Sequence, residues 1–407
     1  MIDYYIHQIE GSNELLLYKK YCLFFGIGVG KTLTALRALS SLKNKKILIV
    51  APSRILKSIW IQQKDIDVSK FDIEYMSYEA ISRDYEITKK TYDVIILDEV
   101  HKIKSGTSKC SKRIRKLSEK AEYVWGLTGT PYANSYCDIY WIFRNMDIKE
   151  FDMSYNDFVF WYYNSYNIQT SLGHTISIPS SVKPNRLPEL LDKIGRHSFT
   201  KTLNFGIEEP EINEYFLEGM NTDYYKKVEN GILEINEDTK LMTKLESVNK
   251  AHQVANGYVY DSINNIILNI KDNSAKINKL LDILKSITDR VIIVYHYKKD
   301  LSTLTNLIKE DYTTNFEEFK NNKILFLQSG QCEGLNLQDY CSHVIFYTYD
   351  YSFLKFEQMV GRVYRNRQKN EVIVDVLINN KTIENNIWKA VKNKQTTDEF
   401  LKGVLER

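Results

Sequence analysis

Short apolar runs alternate with helical stretches through the first third of the chain. Cys22 to Phe25, KILIVAP (Lys46 to Pro52), IEYMSY (Ile73 to Tyr78), the VIIL of YDVIILDEVHK (Tyr92 to Lys102) and EYVWGLTGTP (Glu122 to Pro131) each look like a strand buried on both faces. Strands separated by helices predict a parallel, doubly wound sheet. A second set follows late, in VIIVYHY (Val291 to Tyr297), KILFLQS (Lys323 to Ser329), HVIFYTY (His343 to Tyr349) and EVIVDVL (Glu371 to Leu377). Two similar α/β sheets are therefore expected around a different middle. That middle is helical in pattern and rich in aromatics, as in IYWIFRNMDIKEF and NDFVFWYYNSY, and such spacing favours core packing over base stacking. Within it SLGHTISIPSSVKPN, Ser171 to Asn185, collects turn formers and predicts a mobile loop. The boundaries that follow are 1–140, 141–275 and 276–407.

The loop GIGVGKT, Gly26 to Thr32, lies between the Cys22 run and an apolar-periodic helix from Leu33 onward. Strand, glycine turn and helix are the context that a phosphate loop requires. Gly28 and Gly30 would let backbone N–H groups approach phosphate, Lys31 would reach the outer phosphates, and Thr32 would hold Mg²⁺. Phe25 stands where the motif has its first small residue, which would narrow the entrance. A plain glycine turn followed by a chance Lys-Thr is the alternative. In YDVIILDEVHK the apolar residues deliver two acids to a strand's carboxyl end, the edge at which open α/β sheets place their sites. Asp98 would hold Mg²⁺ through its hydration shell, and Glu99 would orient and deprotonate the attacking water. Alone, such a pair also suits a helix N-terminus.

With 407 residues, 43% of them hydrophobic, the chain is long enough for two or more cores. A net charge of +3 does not by itself signal nucleic acid, so any basic tract must be local. Five cysteines without CxxC spacing give neither a zinc site nor a disulfide framework. No leader and no run of about 18 apolar residues is seen, so a cytoplasmic protein away from membranes is expected.

GIGVGKT, DEVHKIK, GLTGTPYANS, GQCEGLNL and QMVGRVYRNRQ occur in the order and spacing of superfamily 2 helicase-like ATPases, and their wording most resembles the Swi/Snf family. Five separated motifs must coincide, and they run over nearly the whole chain. The resemblance implies two RecA-like P-loop domains, using ATP and Mg²⁺, with DNA along a shared cleft. Gln8 resembles the upstream glutamine that reads adenine, since its amide can both donate and accept. His101 resembles the residue that couples nucleotide state to the DNA grip, and Thr128, Gly129 and Thr130 resemble that coupling motif. Gly334, with Glu333 and Asn336 beside it, looks like a motif touching nucleotide and DNA. Gln358, Arg362 and Arg365 resemble the last motif, whose arginines reach the γ-phosphate. On one continuous helix these three positions would share a face.

By the same resemblance Pro52, Ser53 and Arg54, Tyr78 and Glu79, and Ser329, Gly330 and Gln331 face the DNA backbone, a contact that carries no sequence information. Lys102, Lys104, Lys109, Lys112, Arg113 and Arg115 either add to a DNA path or form a solvated helix face. Few residues separate LSTLTNLIKEDY from NFEEFKNNK, so the second sheet is expected to lack one unit. Reader domains of chromatin remodellers are not seen, and the Asn, Ile, Lys and Tyr bias suggests an AT-rich genome. A replication or recombination motor of a bacteriophage or mobile element follows as the expectation, acting as an ATP-dependent translocase or helicase on duplex or branched DNA. The alternative is a nucleotide-switched DNA clamp or loader that hydrolyses ATP only for release.

Overall fold

The computed structural model describes residues 4–26, 28–61, 71–129, 131, 136–169, 175–202, 208–218, 222–235, 238–261, 266–270, 274–332, 334–365 and 367–393. The chain divides into two compact units, Met1–Leu203 and Asn204–Arg407.

The first unit is built on β1 (Lys20–Phe25), β2 (Lys46–Ala51), β3 (Asp72–Ser77), β4 (Val94–Asp98) and β5 (Tyr123–Thr128), the five strands legible as apolar runs. A hairpin of β6 (Tyr163–Gln169) and β7 (Thr175–Val182) follows, then β8 (Ser198–Lys201). The sheet order is β3-β2-β4-β5-β1-β8, parallel throughout. β1, β2, β4 and β5 are buried almost end to end, as strands covered by helices on both faces must be. β7 occupies part of the stretch expected as a mobile loop; residues 171–174 of that stretch lie outside the described residues. Its Pro179 is tolerated because a two-stranded hairpin leaves an outer edge where no N–H is needed, and the pairing is irregular beside it, at Asn164 and Ser165.

The second unit contains β9 (Glu211–Leu217), the hairpins β10 (Ile232–Ile235) with β11 (Asp238–Leu241) and β12 (Tyr258–Asp261) with β13 (Ile266–Asn269), and then β14 (Val291–Tyr295), β15 (Tyr312–Thr313), β16 (Ile324–Gln328), β17 (His343–Phe346) and β18 (Ile373–Asn379). Its main sheet is also six-stranded and parallel, in the order β15-β16-β14-β17-β18-β9. The short chain before β16 leaves β15 only two residues long, and the far edge is filled by β9.

The middle differs from the separate helical insertion expected for 141–275. It is shared between the units: β8 extends the first sheet, and β9 pairs along all seven of its residues with β18 of the second. Edge strands recruited from distant sequence carry no local apolar signature, because one side of their ladder is open. Packing is nonetheless the main role of the aromatics here. Tyr140, Phe143, Phe151, Phe158 and Tyr162 are buried in the first unit, while Phe160 and Trp161 are exposed.

Candidate functional site

In the first sheet β4, β5 and β1 are neighbours, with Asp98 paired to Leu127 and Phe24 paired to Thr128. All three therefore end at one edge, bringing together the glycine loop after β1, the acids after β4 and Thr128 at the end of β5. The loop leads into the helix Lys31–Ser40, with Gly30 as its N-cap at φ +90°. A side chain at Gly30 is excluded twice: by that left-handed backbone, and by Gln8 Nε2, which a Cβ would meet at 2.1 Å. Lys31 Nζ donates to the carbonyls of Phe25 at 2.9 Å and Gly26 at 3.3 Å, so in this conformation the ammonium is folded onto its own loop.

Phe25 does not narrow the loop's entrance. Its side chain is fully buried, with its ring against His7 and Phe199. The helix Ile6–Tyr18 makes room with Gly11, where a Cβ would come within 3.0 Å of the Phe25 ring. Gln8 lies on the same helix, 3% exposed: its Oε1 accepts from the Tyr5 N–H at 3.1 Å and its Nε2 donates to the Val29 carbonyl at 3.4 Å. Both ends of the amide are thus engaged by protein against the glycine loop, and reading adenine requires exchanging them. His7 joins it, with Nε2 3.0 Å from the Val29 oxygen.

Asp98 is buried, and both of its oxygens are held: Oδ2 accepts from the Trp60 indole N–H at 2.9 Å and Oδ1 from the Glu99 N–H at 3.0 Å. Burial first, and the Glu99 charge second, push the Asp98 carboxyl up to about 6, against the Trp60 hydrogen bond and the Lys31 charge. A bound cation would reverse that balance. One carboxylate and one threonine hydroxyl also fit Mg²⁺, which takes oxygen donors from few protein groups and the rest from phosphate and water. Glu99 has φ +55°, a left-handed conformation that costs a non-glycine residue on the order of 1–2 kcal/mol. His101 Nδ1 then lies 3.3 Å from Glu99 Oε2 and 3.0 Å from Thr128 Oγ1, joining the acid loop to the end of β5. Thr130 lies outside the described residues.

Around this cluster, Ser53 and Arg54 follow β2 and are exposed at the same edge. Tyr78 is not available to a DNA backbone. It is 5% exposed and its hydroxyl donates to the Asp98 carbonyl at 2.8 Å, because an aromatic at the start of the helix Tyr78–Arg83 packs inward under β4. Much of the basic tract is spent locally: Lys104 pairs with Asp138 at 3.3 Å, Arg113 donates to the Ile81 carbonyl at 2.7 Å, and Arg115 pairs with Glu119 at 3.3 Å. Trp60 was not legible as a site residue. It ends a π-helical stretch, Leu56–Trp60, and the only sequence signal is that a buried indole N–H needs an acceptor.

In the second unit Ser329, Gly330 and Gln331 follow β16 at its carboxyl edge, where the Ser329 N–H donates to the Tyr295 carbonyl at 2.6 Å and Gln331 Nε2 to Gln328 Oε1 at 3.2 Å. Gly334 has φ +75° in the same connection, and Glu333 lies outside the described residues. Gln358 is buried on the helix Phe353–Val360, but Arg362 and Arg365 lie past its end. The single helix expected to carry all three stops at Val360, capped by Gly361, and the chain continues in tight turns through Val360-accepted bonds from Val363 and Tyr364. The two arginines still converge. Arg365 Nη1 donates to Asn336 Oδ1 at 2.8 Å, and its pKa falls to about 10 through burial and the nearby Arg362 charge, with Asp339 opposing. Arg362 is 8% exposed, and its Nε has no hydrogen-bond partner among the described residues.

Two parallel six-stranded sheets, one with a glycine loop and paired acids at its carboxyl edge and the other with a converging arginine pair, define the class of two-lobed, helicase-like ATPases. The chain belongs to the SNF2-related domain family, whose model matches residues 61–279, just over half of its length. Among curated relatives it is 24% identical to protein p41 of Acyrthosiphon pisum secondary endosymbiont phage 1, covering 97% of both chains. It is 23% identical to the Bacillus subtilis uncharacterized ATP-dependent helicase YqhH, over 98% of this chain and 80% of that one. It also resembles the Sulfolobus solfataricus SWI2/SNF2 ATPase core in complex with dsDNA, at 20% identity and TM-score 0.43, covering 100% of this chain and 94% of that one, a likeness that adds nothing to the fold read from the strands. Among the described residues no helix is long and apolar enough to cross a membrane.

Proposed function

We propose that this SNF2-family ATPase is a DNA-stimulated motor that hydrolyses ATP to move on, or remodel, duplex or branched DNA. The observation that carries the reading is the buried line Glu99–His101–Thr128 beside the glycine loop. It gives the acid a structural link to the strand whose continuation is the coupling motif. Gly28, Gly30 and Lys31 bind the phosphates, and Lys31 leaves the Phe25 and Gly26 carbonyls to do so. Asp98 and Thr32 hold Mg²⁺, which when bound neutralises charge on the phosphates. Glu99 orients the attacking water and takes its proton, and its left-handed backbone fixes where the carboxylate points.

In the second unit Gln358 and Gly334 contact nucleotide, and Arg362 and Arg365 stabilise charge on its γ-phosphate. Arg362, buried with an unsatisfied N–H, gains most from meeting an anion. Ser53, Arg54, Ser329 and Gln331 contact DNA phosphates, so binding is independent of sequence. Relatives named as an ATP-dependent helicase and as the Saccharomyces cerevisiae ISWI chromatin-remodeling complex ATPase ISW1, the latter 23% identical, support an ATP-driven role on DNA. The relative from a phage supports a phage setting, and within it we place the motor in replication or recombination, with proteins of those processes as partners. ATP turnover with and without closed duplex DNA, across a salt series, tests the proposal. Stimulation that weakens with salt is expected; DNA binding with no stimulated turnover would favour a nucleotide-switched clamp.

A further inference from the structure

The chemistry described above lies mainly at the carboxyl edges of the sheets, yet the amino edge of the second sheet carries a cleft of about 660 Å³. Its walls are the four connections leading into β14, β16, β17 and β18, at 288–290, 320–323, 338–342 and 367–370. Parallel strands begin at one edge, so these turns become neighbours although they are far apart in sequence. Among the described residues Arg290, Lys320, Lys323, Arg367 and Lys369 line the cleft against two acids, Asp289 and Asp339.

None of the five cations forms an ion pair with a described residue. In a chain with 55 basic and 52 acidic residues, that concentration of unpaired charge is local, since lysines elsewhere find carboxylates, as Lys19 and Lys45 both find Glu122. Cations gathered in a concavity repel one another and focus a positive field outward, a cost that a bound anion removes. The walls are built to hold them. Arg290 Nη2 donates to the Lys320 carbonyl at 2.6 Å, and Gln368 is buried, its Nε2 donating to the Cys341 carbonyl at 2.9 Å and its Oε1 accepting from the Lys369 N–H at 2.9 Å. Arg367 sits at φ +76°, a conformation that costs a non-glycine residue energy.

We propose that this amino-edge cleft is a second anion site that binds successive phosphate groups, either of a nucleic-acid segment separate from the one gripped at the carboxyl edges or of a free polyphosphate. Volume favours several phosphates over one. The cleft is also tied to the arginine pair: the Leu337 N–H, one residue before Gln338, donates to the Arg362 carbonyl at 3.2 Å.

The test uses the full chain and the triple variant Lys320→Ala, Lys323→Ala, Lys369→Ala, whose basal ATP turnover should be unchanged. Amide hydrogen exchange is followed at 320–323 and 367–370 with a short duplex or with tripolyphosphate, and duplex affinity is measured across salt. Protection of both segments, absent in the triple variant, is expected. If all three lysines meet nucleic-acid phosphate, the wild-type advantage in duplex affinity narrows roughly fortyfold between about 50 and 200 mM salt, from a slope of about −0.9 per contact. Protection by duplex alone assigns a nucleic-acid segment, and protection by tripolyphosphate, with or without the duplex, assigns a site open to free polyphosphate. No protection by either overturns the proposal. Loss of DNA-stimulated turnover in the wild type would instead remove the motor reading and leave both binding arms interpretable.

Discussion

Replacing Lys276 with Met should destabilise the second unit far more than a typical point change. Lys276 and Glu384 are both fully buried. Lys276 Nζ, on the helix Ser274–Ser286, donates to Glu384 Oε1 at 2.8 Å, to Oε2 at 2.9 Å and to Asn256 Oδ1 at 2.9 Å. Glu384 also accepts from Asn256 Nδ2 at 2.9 Å and from the Asn379 N–H at 2.7 Å. Burial pushes the Glu384 carboxyl up, but Lys276, His252 and the Asn379 N–H hold it down at about 2, so at neutral pH the carboxylate is charged. Methionine fills similar volume yet takes away the cation, leaving that buried charge to His252 and the Asn256 and Asn379 N–H groups, which costs about 3–5 kcal/mol. For a unit of this size the loss lowers its melting temperature by roughly 6–20 °C. Adding Glu384→Gln removes the stranded charge while keeping an acceptor for Asn379, and should recover more than half of the loss. Urea unfolding followed by circular dichroism, with the first unit's transition as internal reference, measures both variants. A cost under about 1 kcal/mol for the single variant, or a double variant no more stable than the single, would refute the reasoning.

Lys31→Ala and Glu99→Gln should both abolish turnover, but only the first should weaken ATP binding, as a titration of nucleotide affinity would show. Arg362→Ala and Arg365→Ala should fold and bind ATP yet hydrolyse it at least about a hundredfold more slowly in single-turnover assays, as finger removal does. Acid should weaken the second unit through His296. Burial first and the His252 charge second, with Lys355, and against Asp350, bring its pKa from 6.5 down to about 4. The unfolded chain then binds more protons between those values, so stability falls as pH drops from about 6.5 to 4, by at most about 3 kcal/mol. His296→Gln should flatten that slope in urea titrations run across the interval.

The central strands were legible because β1, β2, β4, β5, β14, β16, β17 and β18 are covered on both faces and so read as mainly apolar runs, with Asp375 interrupting β18. β8 and β9 were not. They are edge strands added from the middle, and their membership depends on pairing with Cys22–Phe25 and Ile373–Asn379, far away in sequence. The link Asn256–Lys276–Glu384, which binds middle helices to the last one, is equally invisible, since three polar residues 20 and 108 positions apart carry no local pattern. In the candidate site, the loop and the acids were read from their strand context and His101 from the family resemblance. Neither signal pointed to Trp60, whose approach to Asp98 depends on a π-helical turn, and Tyr78 was misplaced, because a tyrosine after a strand serves solvent or core equally well. Gly361, read as part of a motif, also ends the helix that was expected to carry Arg362 and Arg365.

The claim that ATP hydrolysis drives movement along DNA is tested most directly by displacement of a triplex strand from duplex DNA, with wild-type protein and with Glu99→Gln. The account predicts ATP-dependent displacement by the wild type, none by the variant despite retained ATP and DNA binding, and slower displacement as salt rises. Equal displacement by both proteins, or efficient unwinding of long duplexes from a single-stranded tail with no triplex displacement at all, would contradict it.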